Sequence, residues 1–170
     1  RGGVKDLIDF TITRNKIPIV SVDVAYMIDQ HTAYIKVNRF SEKTYEEFRD
    51  KLSEMKQKGA TKLILDLRQN PGGYLDAAVE MADEFLPGQG MIVYTEGRVS
   101  KRDERKAGRE GIFENGEVAV LIDEGSASAS EIVSGALQDW DRATIIGRRS
   151  FGKGLVQEQK KKKNGGALRL

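Results

Sequence analysis

The chain has 170 residues, 39% of them hydrophobic, which is enough for one globular domain with a sizeable core. Its 28 basic and 26 acidic residues leave a net charge of only +2, which is unlike the large basic excess of a dedicated nucleic-acid binder. The absence of cysteine excludes disulfides, thiol nucleophiles and Cys-ligated zinc, and the single histidine excludes any mechanism that needs two.

The first predicted elements are strands. Residues 7–13 alternate between apolar and polar side chains, but this strand opens without a cap, a turn or a partner strand. We therefore expect residues 1–15 to be the end of a preceding domain and residues 16–170 to form the next one. Two further strands are predicted at residues 19–24 and 32–38, the second of them half-buried.

A long amphipathic helix is predicted over residues 44–58. Thr44 and Glu47 fit a T-x-x-E capping box at its start, and Gly59 marks its end. The nearly continuous apolar run at residues 62–67 then predicts a strand that is covered on both faces. Four side chains of the helix recur at helical spacing and should face the core: Tyr45, Phe48, Leu52 and Met55.

The remaining elements alternate between helices and strands, and no apolar run approaches the roughly 18–20 residues of a membrane span. The pattern predicts helices at 75–86 and 127–139 and strands at 91–95, 118–122, 143–146 and 155–159. It also predicts a solvated hairpin or loop at 99–110 and a solvated turn at 160–163. This alternation indicates an α/β domain with a largely parallel sheet. Sites in such sheets gather at the C-terminal ends of the strands, where three loops are expected: 68–73, 123–130 and 147–154.

Three serines lie where a buried strand meets a helix, at Ser126, Ser128 and Ser130. A nucleophile at this point would form its oxyanion beside the free N–H groups and the positive dipole end of the helix. Ser128 and Glu131 also fit a capping box, so a purely structural role explains the same residues. The local pattern does not decide among the three serines.

The loop at residues 147–154 nearly matches the phosphate-binding pattern G-x-x-x-x-G-K-[ST]. Gly154 stands where that pattern needs a hydroxyl, and no convincing helix follows, which argues against nucleotide binding. Lys153 is instead a candidate general base, because a serine hydroxyl needs a proton acceptor and His31 lies at a strand edge without an orienting site nearby. A solvated loop lysine is the competing interpretation.

The turn Asn70-Pro71-Gly72-Gly73 follows a buried strand and precedes a helix. Glycines let the backbone approach a ligand closely and present outward N–H groups, so this turn could supply one donor to an oxyanion. A tight strand-to-helix turn explains the same residues without a function.

The segments at residues 63–73, 122–132, 135–139 and 147–157 together resemble the C-terminal processing peptidases, the tail-specific serine proteases of family S41. The resemblance implies a general-base lysine 25 residues after the nucleophilic serine. It therefore implies Ser128 and Lys153 as the catalytic pair.

The same resemblance implies roles for residues around this pair. Gln157 would orient the lysine, and Asp139 matches an acidic position of the family that we interpret as structural support. The oxyanion hole would use the N–H of Ala129 together with a backbone N–H of Gly72 or Gly73.

The fold that the resemblance implies is a ClpP/crotonase-like α/β core, with a mostly parallel twisted sheet flanked by helices. A PDZ domain would precede it, ending in a strand over residues 4–15. The family continues after Gln157 with an apolar strand, whereas here the lysines of residues 160–163 occupy that place, so we expect the C-terminal part of the core to be incomplete.

The implied activity is that of a serine endopeptidase which cleaves near the C-terminal tails of unfolded proteins through an acyl-enzyme. No metal or other cofactor and no nucleic-acid partner are implied, an oligomer is possible, and the location would be the bacterial periplasm or cell envelope. Two alternatives stay open: a non-catalytic module of the same fold that binds peptide tails, and a nucleotide-binding protein that uses the loop at residues 147–154.

Overall fold

The structure is a computed structural model that describes residues 10–14, 20–157, 159–162 and 165–169. Three helices are found in these ranges: α1 (Thr44–Gln57), α2 (Leu75–Asp83) and α3 (Ala129–Asp139). The strands in the same ranges are β1 (Val24–Met27), β2 (Thr32–Lys36), β3 (Lys62–Asp66), β4 (Met91–Thr95), β5 (Asp103–Lys106), β6 (Glu117–Ile122), β7 (Thr144–Gly147), β8 (Gln159–Lys161) and β9 (Ala167–Arg169).

A five-stranded sheet in the order β1-β2-β3-β6-β7 forms the centre of the molecule. Strand β1 is antiparallel to β2, and the other neighbours are parallel. Helix α1 connects β2 to β3 and α3 connects β6 to β7, which is the crossover that parallel neighbours require. The predicted α/β class with a mostly parallel sheet is therefore confirmed.

One face of this sheet carries the hydrophobic core. Alternate residues of neighbouring strands lie side by side on it, and all of them are buried: Ala33, Ile35, Leu63, Leu65, Val118 and Val120. The apolar stripes of the helices join the same core, including Phe48, Leu52 and Met55 of α1, as predicted. Each such buried side chain contributes about 1.5–3 kcal/mol, so this packing holds the strands in register. Tyr45, which was also expected to face the core, is only half-buried, and its hydroxyl donates to the Glu84 carboxylate at 2.6 Å.

The opposite face of the sheet is half-exposed among the described residues, so the prediction that β3 is covered on both faces is wrong. Ile64 is only partly buried there, and Tyr26 is 50% exposed. Asp66 is buried on this face by polar neighbours, since the Tyr34 hydroxyl donates to it at 2.6 Å and the Arg68 guanidinium at 2.7 Å. The apolar run therefore contains one residue that is buried by hydrogen bonding and not by a helix.

The predicted capping box at the start of α1 is also wrong. The Glu47 carboxylate accepts the backbone N–H groups of Ser21 at 2.7 Å and Val22 at 3.1 Å. The Thr44 hydroxyl accepts the N–H of Ser41 at 2.7 Å. Glu47 thus ties the segment before β1 to α1, a long-range contact that a local capping pattern does not reveal.

Several other boundaries differ from the sequence predictions. The strand expected at residues 19–24 begins only with β1, and the turn at 160–163 begins with β8 residues. The hairpin or loop expected at 99–110 is a hairpin, because it contains β5, which is antiparallel to β4. The strand expected at 155–159 is absent from 155–157, which have no regular secondary structure. Of the strand expected at 7–13, only 10–13 are described and they are irregular; the rest lies outside the described residues, so the N-terminal domain assignment stays a prediction.

The parallel strands bring three loops to one edge of the sheet. The segments that follow β3, β6 and β7 all leave from C-terminal strand ends, which is where the three loops were expected to meet. Within the described ranges, no helix is both long enough and apolar enough to cross a membrane.

Candidate active site

Ser128 lies at the turn between β6 and α3, in an unusual backbone conformation. Its φ of 56° and ψ of −112° are values that a residue with a side chain rarely adopts, and it is the N-cap of α3. The residue is only partly buried. Strained backbone of this kind is retained when surrounding contacts fix it, and it presents the Ser128 side chain at the positive end of the helix dipole.

The two neighbouring serines are buried and use their hydroxyls for structure. The Ser126 hydroxyl donates to the Leu67 carbonyl at 2.8 Å and accepts the N–H of Asp123 at 2.9 Å. The Ser130 hydroxyl donates to the Asn70 carbonyl at 2.9 Å. Of the three serines, Ser128 is thus the one that is not buried, a distinction that the local sequence could not make.

Gly72 approaches the Ser128 turn closely. A Cβ at Gly72 would lie 2.5 Å from the Ala127 carbonyl oxygen and 2.8 Å from the Ala129 nitrogen, and its φ is 89°. Only glycine fits this conformation and this space. The sheet topology therefore brings the Gly72 turn and the N-terminus of α3 into direct contact, as the positions of the predicted oxyanion donors require.

The backbone N–H groups near this contact are not equivalent. The Gly72 N–H donates to the Asn70 side-chain oxygen at 2.9 Å. In the described part of the chain, the N–H groups of Gly73 and Ala129 have no acceptor. Ala129 and Gly73 are thus better candidates for the oxyanion donors than Gly72, whose N–H is already used. Gly72 lacks a side chain and so allows the two loops to approach closely.

Asn70 is a residue whose importance the sequence pattern did not indicate beyond a turn. It is fully buried, and its side-chain amide donates to the Val37 carbonyl at 2.8 Å. Its backbone carbonyl accepts both the Ala127 N–H at 3.0 Å and the Ser130 hydroxyl. Asn70 therefore fastens the Gly72 turn to the start of α3.

Glu131 is a second residue whose contacts exceed those of the capping partner that its sequence position predicts. Its Oε2 accepts the backbone N–H of Ser128 at 2.8 Å and that of Lys153 at 2.9 Å. Its Oε1 accepts the Gly152 N–H at 2.6 Å and the Ser150 hydroxyl at 2.7 Å. Burial raises the pKa of the Glu131 carboxyl, but these donors outweigh it and the net pKa lies below its usual value.

The shared oxygen of Glu131 brings the backbones of Ser128 and Lys153 together. Since both N···O distances are under 3 Å, the two nitrogens lie within about 6 Å of each other. The Phe151 N–H also donates to the Ser126 carbonyl at 3.0 Å, so the loop after β7 lies against the serine turn at a second point. The two halves of the predicted pair are therefore neighbours in the fold.

The side chains of the predicted pair are not joined by a hydrogen bond in this structure. Lys153 is exposed, and its amine has no hydrogen bond or ion pair to any described residue. Gln157 is exposed as well and makes no hydrogen bond within the described ranges. Because residues 151–157 are irregular, no strand aligns Lys153 and Gln157 on one face.

Asp123 joins two of the loops that form the site. Its carboxylate accepts the backbone N–H of Gln69 at 2.9 Å, the Gln69 side-chain amide at 2.7 Å and the N–H of Gly125 at 2.9 Å. Burial raises the pKa of Asp123, but these hydrogen bonds lower it further than burial raises it. The ionised Asp123 thus fixes the loop after β3 to the loop after β6.

The other residues considered from sequence lie away from this centre. His31 precedes β2, so it is at the opposite end of the sheet from Ser128. Asp139 is the last residue of α3, about 16 Å along the helix from Ser128. The loop at residues 147–154 is not followed by a helix, so it has no helix N-terminus against which a phosphate could bind. Among the described residues, no group of three or more His, Asp or Glu side chains could hold a metal ion.

Comparisons with known proteins identify relatives over most of the chain. The profile of peptidase family S41 matches residues 31–170. A carboxyl-terminal-processing protease of Synechocystis sp. is 41% identical over 153 residues, covering 88% of this chain and 35% of the relative. A carboxy-terminal-processing protease of Bartonella bacilliformis is 43% identical over 175 residues, covering 100% of this chain and 40% of the relative.

A solved structure with the same fold is that of a photosystem II D1 C-terminal processing protease. It superposes with a TM-score of 0.79 at 29% sequence identity, covering 93% of this chain and 44% of that chain. The chain thus spans less than half the length of each of these three proteins.

Proposed function

The chain belongs to peptidase family S41, and from this membership we propose that it carries the catalytic centre of a serine endopeptidase that cleaves near the C-terminal tails of protein substrates. A protease function follows from the family; the mechanism and the substrate are the proposal. The observation that carries it is the geometry of Ser128, which is accessible, strained and within about 6 Å, backbone to backbone, of Lys153.

Ser128 is the nucleophile in this mechanism. Its hydroxyl oxygen attacks the scissile carbonyl carbon, an O–C bond forms, and the π electrons of the carbonyl move to its oxygen. The hydroxyl proton passes to the uncharged amine of Lys153, which serves as general base. The exposed amine lies on a long side chain whose backbone adjoins Ser128, and a bound substrate would bring it over the serine and remove it from water.

The oxyanion is stabilised by backbone N–H groups. Among the described residues, the N–H groups of Ala129 and Gly73 beside the Ser128 turn have no acceptor, and the absence of a side chain at Gly72 lets the two loops approach each other. Such donors are worth about 3–4 kcal/mol of transition-state stabilisation, because they are fixed before the negative charge develops. The N-terminus of α3 adds its dipole to the same position.

Collapse of the tetrahedral intermediate completes acylation. The C–N bond breaks, the leaving amine takes the proton from Lys153, and Ser128 keeps the acyl group as an ester. Water then attacks the ester, with Lys153 accepting its proton, and the carboxylate product leaves as the Ser128 hydroxyl is restored. Gln157 is proposed to orient the lysine when a substrate is bound.

The substrate and the setting are proposed from the relatives. The relatives are named as proteases that process carboxyl termini, so we propose an unfolded protein tail with a free C-terminus as substrate. The bacterial envelope or periplasm is the proposed location. A PDZ domain before residue 16 is the proposed reader of the tail.

Cleavage of a tail peptide by the full-length protein tests the proposal. Ser128→Ala and Lys153→Ala are each expected to lower kcat/KM by at least 1000-fold, because each removes a group that takes part in covalent chemistry. Lys101→Ala, an exposed lysine in the loop before β5, is the matched control and should retain full activity. Unchanged cleavage by either active-site variant would refute the mechanism, and tail binding without any cleavage by the wild type would favour a non-catalytic binding module.

A further inference from the structure

Glu131 makes more contacts than a capping residue needs. A capping-box glutamate uses its carboxylate for the backbone N–H of the N-cap residue, here Ser128. The Glu131 carboxylate also accepts three donors from a loop nineteen to twenty-two residues further along the chain, from Ser150, Gly152 and Lys153. Capping explains the first bond and leaves the other three unexplained.

The distribution of these bonds over the two carboxylate oxygens is specific. Oε2 accepts the N–H groups of Ser128 and Lys153, and Oε1 accepts the N–H of Gly152 and the Ser150 hydroxyl. All four distances lie between 2.6 and 2.9 Å, which is typical of hydrogen bonds to an ionised acceptor. One carboxylate thereby binds donors from two loops that are separated in the sequence by the whole of α3 and β7.

The loop that Glu131 binds has little other regular support. Residues 151–157 form no helix or strand, and several of their side chains are exposed, including Phe151 at 68% and Leu155 at 81%. Arg148 attaches the start of the loop to Ile122 and Glu124, and the Phe151 N–H bond to Ser126 and the Glu131 bonds attach residues 150–153 to the Ser128 turn. A shift in this loop would move the lysine and leave the serine in place.

We propose that Glu131 is the positioning residue of the catalytic pair, whose carboxylate fixes the distance between the Ser128 turn and the Lys153 loop. The Glu131 carboxylate makes no hydrogen bond to the Ser128 hydroxyl or the Lys153 amine; it acts through the backbone N–H groups of these two residues. This inference rests on the proposed Ser128–Lys153 mechanism, and it adds a residue on which the rate of that mechanism depends.

Glu131→Gln in the full-length protein is the principal test. Glutamine has the same size, but one carboxylate oxygen becomes an NH₂ group that faces N–H donors and cannot accept from them. A misplacement of about 1 Å between reacting groups costs on the order of 100-fold in rate, so kcat for a tail peptide should fall by about that factor. KM should stay within about twofold, because the substrate-binding surface is unchanged.

Two further variants separate positioning from general stability. Ser150→Ala removes one of the four donors, leaves the carboxylate in place, and should lower kcat by about threefold to tenfold at unchanged KM. Glu124→Gln is the matched control: Glu124 binds Arg148 of the same loop at 2.7 and 3.0 Å on the exposed surface, and its loss should leave kcat within about twofold. If Glu131→Gln does not fold, as judged by its thermal transition, Ser150→Ala decides the question.

The outcomes distinguish this inference from the function on which it rests. If the wild type does not cleave, or if Ser128→Ala cleaves as well as the wild type, the mechanism is refuted. If the wild type is active and Ser128→Ala is inactive, a folded Glu131→Gln with wild-type kcat would overturn the positioning role. A fall in kcat for Ser150→Ala and Glu131→Gln, with KM and the Glu124→Gln control unchanged, is the result that the geometry predicts.

Discussion

The three serines of the β6–α3 turn have the same chemistry and differ in their surroundings. Ser126 and Ser130 are fully buried and their hydroxyls bind backbone groups, whereas Ser128 is partly exposed and has a positive φ. A hydroxyl that is hydrogen-bonded to buried backbone groups serves the structure, whereas a partly exposed one can react with a substrate. At this scale burial and backbone conformation distinguish a candidate nucleophile from two structural residues.

Ser126→Ala is expected to destabilise the fold without removing the nucleophile. The substitution leaves the Leu67 carbonyl and the Asp123 N–H without their buried partner, which should lower the free energy of unfolding by about 1–3 kcal/mol. Denaturant titration measures this change, with Ser100→Ala in an exposed loop as the control, for which a change within about 0.5 kcal/mol is expected. Stability equal to that of the wild type would contradict the structural role of Ser126.

At the residue scale the sequence predicted the types of group and left their roles open. It placed serines, a lysine and glycines at the C-terminal strand ends, and only the family resemblance selected Ser128 and Lys153. The roles of Asn70 and Glu131 were not predicted, because both act through bonds to residues far away in the sequence. Local patterns contain no information about such partners.

The turn after β3 sets how closely it and the start of α3 can approach each other. Gly72 combines a positive φ with a close approach to the backbone at the start of α3, so a side chain at this position must push the two loops apart. The distance between the loops sets the space into which a substrate carbonyl must fit. The elements around the site are thus fixed by a steric contact as well as by hydrogen bonds.

Gly72→Ala should therefore lose both stability and activity. Its Cβ would lie 2.5 Å from the Ala127 oxygen, which is backbone and cannot swing away, and strain at a positive φ alone costs about 1–3 kcal/mol. Gly88→Ala is the matched control, since Gly88 also has a positive φ (75°) but has open space around it. Thermal unfolding and peptide cleavage are measured for both variants, and the extra loss in Gly72→Ala gives the effect of the steric clash. Equal losses of stability and activity in Gly72→Ala and Gly88→Ala would contradict a clash.

The elements themselves were predicted better than their ends. The spacing of Phe48, Leu52 and Met55 identified α1 correctly, because one face of that helix packs on the core. The strand expected at residues 155–159 did not appear in residues 155–157. In the structure this segment has no neighbouring strand among the described residues, and a strand requires a partner for its backbone.

Across the whole molecule, the order of strands and helices predicted the sheet. Parallel neighbours need a crossover, and α1 and α3 supply one on each side of the β3–β6 pair. What the order did not predict is the half-exposed second face, because an apolar run such as that of β3 looks the same whether one face or two are covered. There the pKa of Asp66 falls to about 2, because the hydrogen bonds of Arg68 and Tyr34 outweigh the opposing effect of burial.

The whole account depends on Ser128 being activated by Lys153 in the intact protein. The direct measurement is the reaction of the full-length protein with a fluorophosphonate probe, followed by mass spectrometry to identify the modified residue. The account predicts a single adduct on Ser128, formed at a rate that falls by at least 100-fold in Lys153→Ala and stays unchanged in Lys101→Ala. An adduct on another serine, or labelling of Ser128 at the wild-type rate without Lys153, would contradict it.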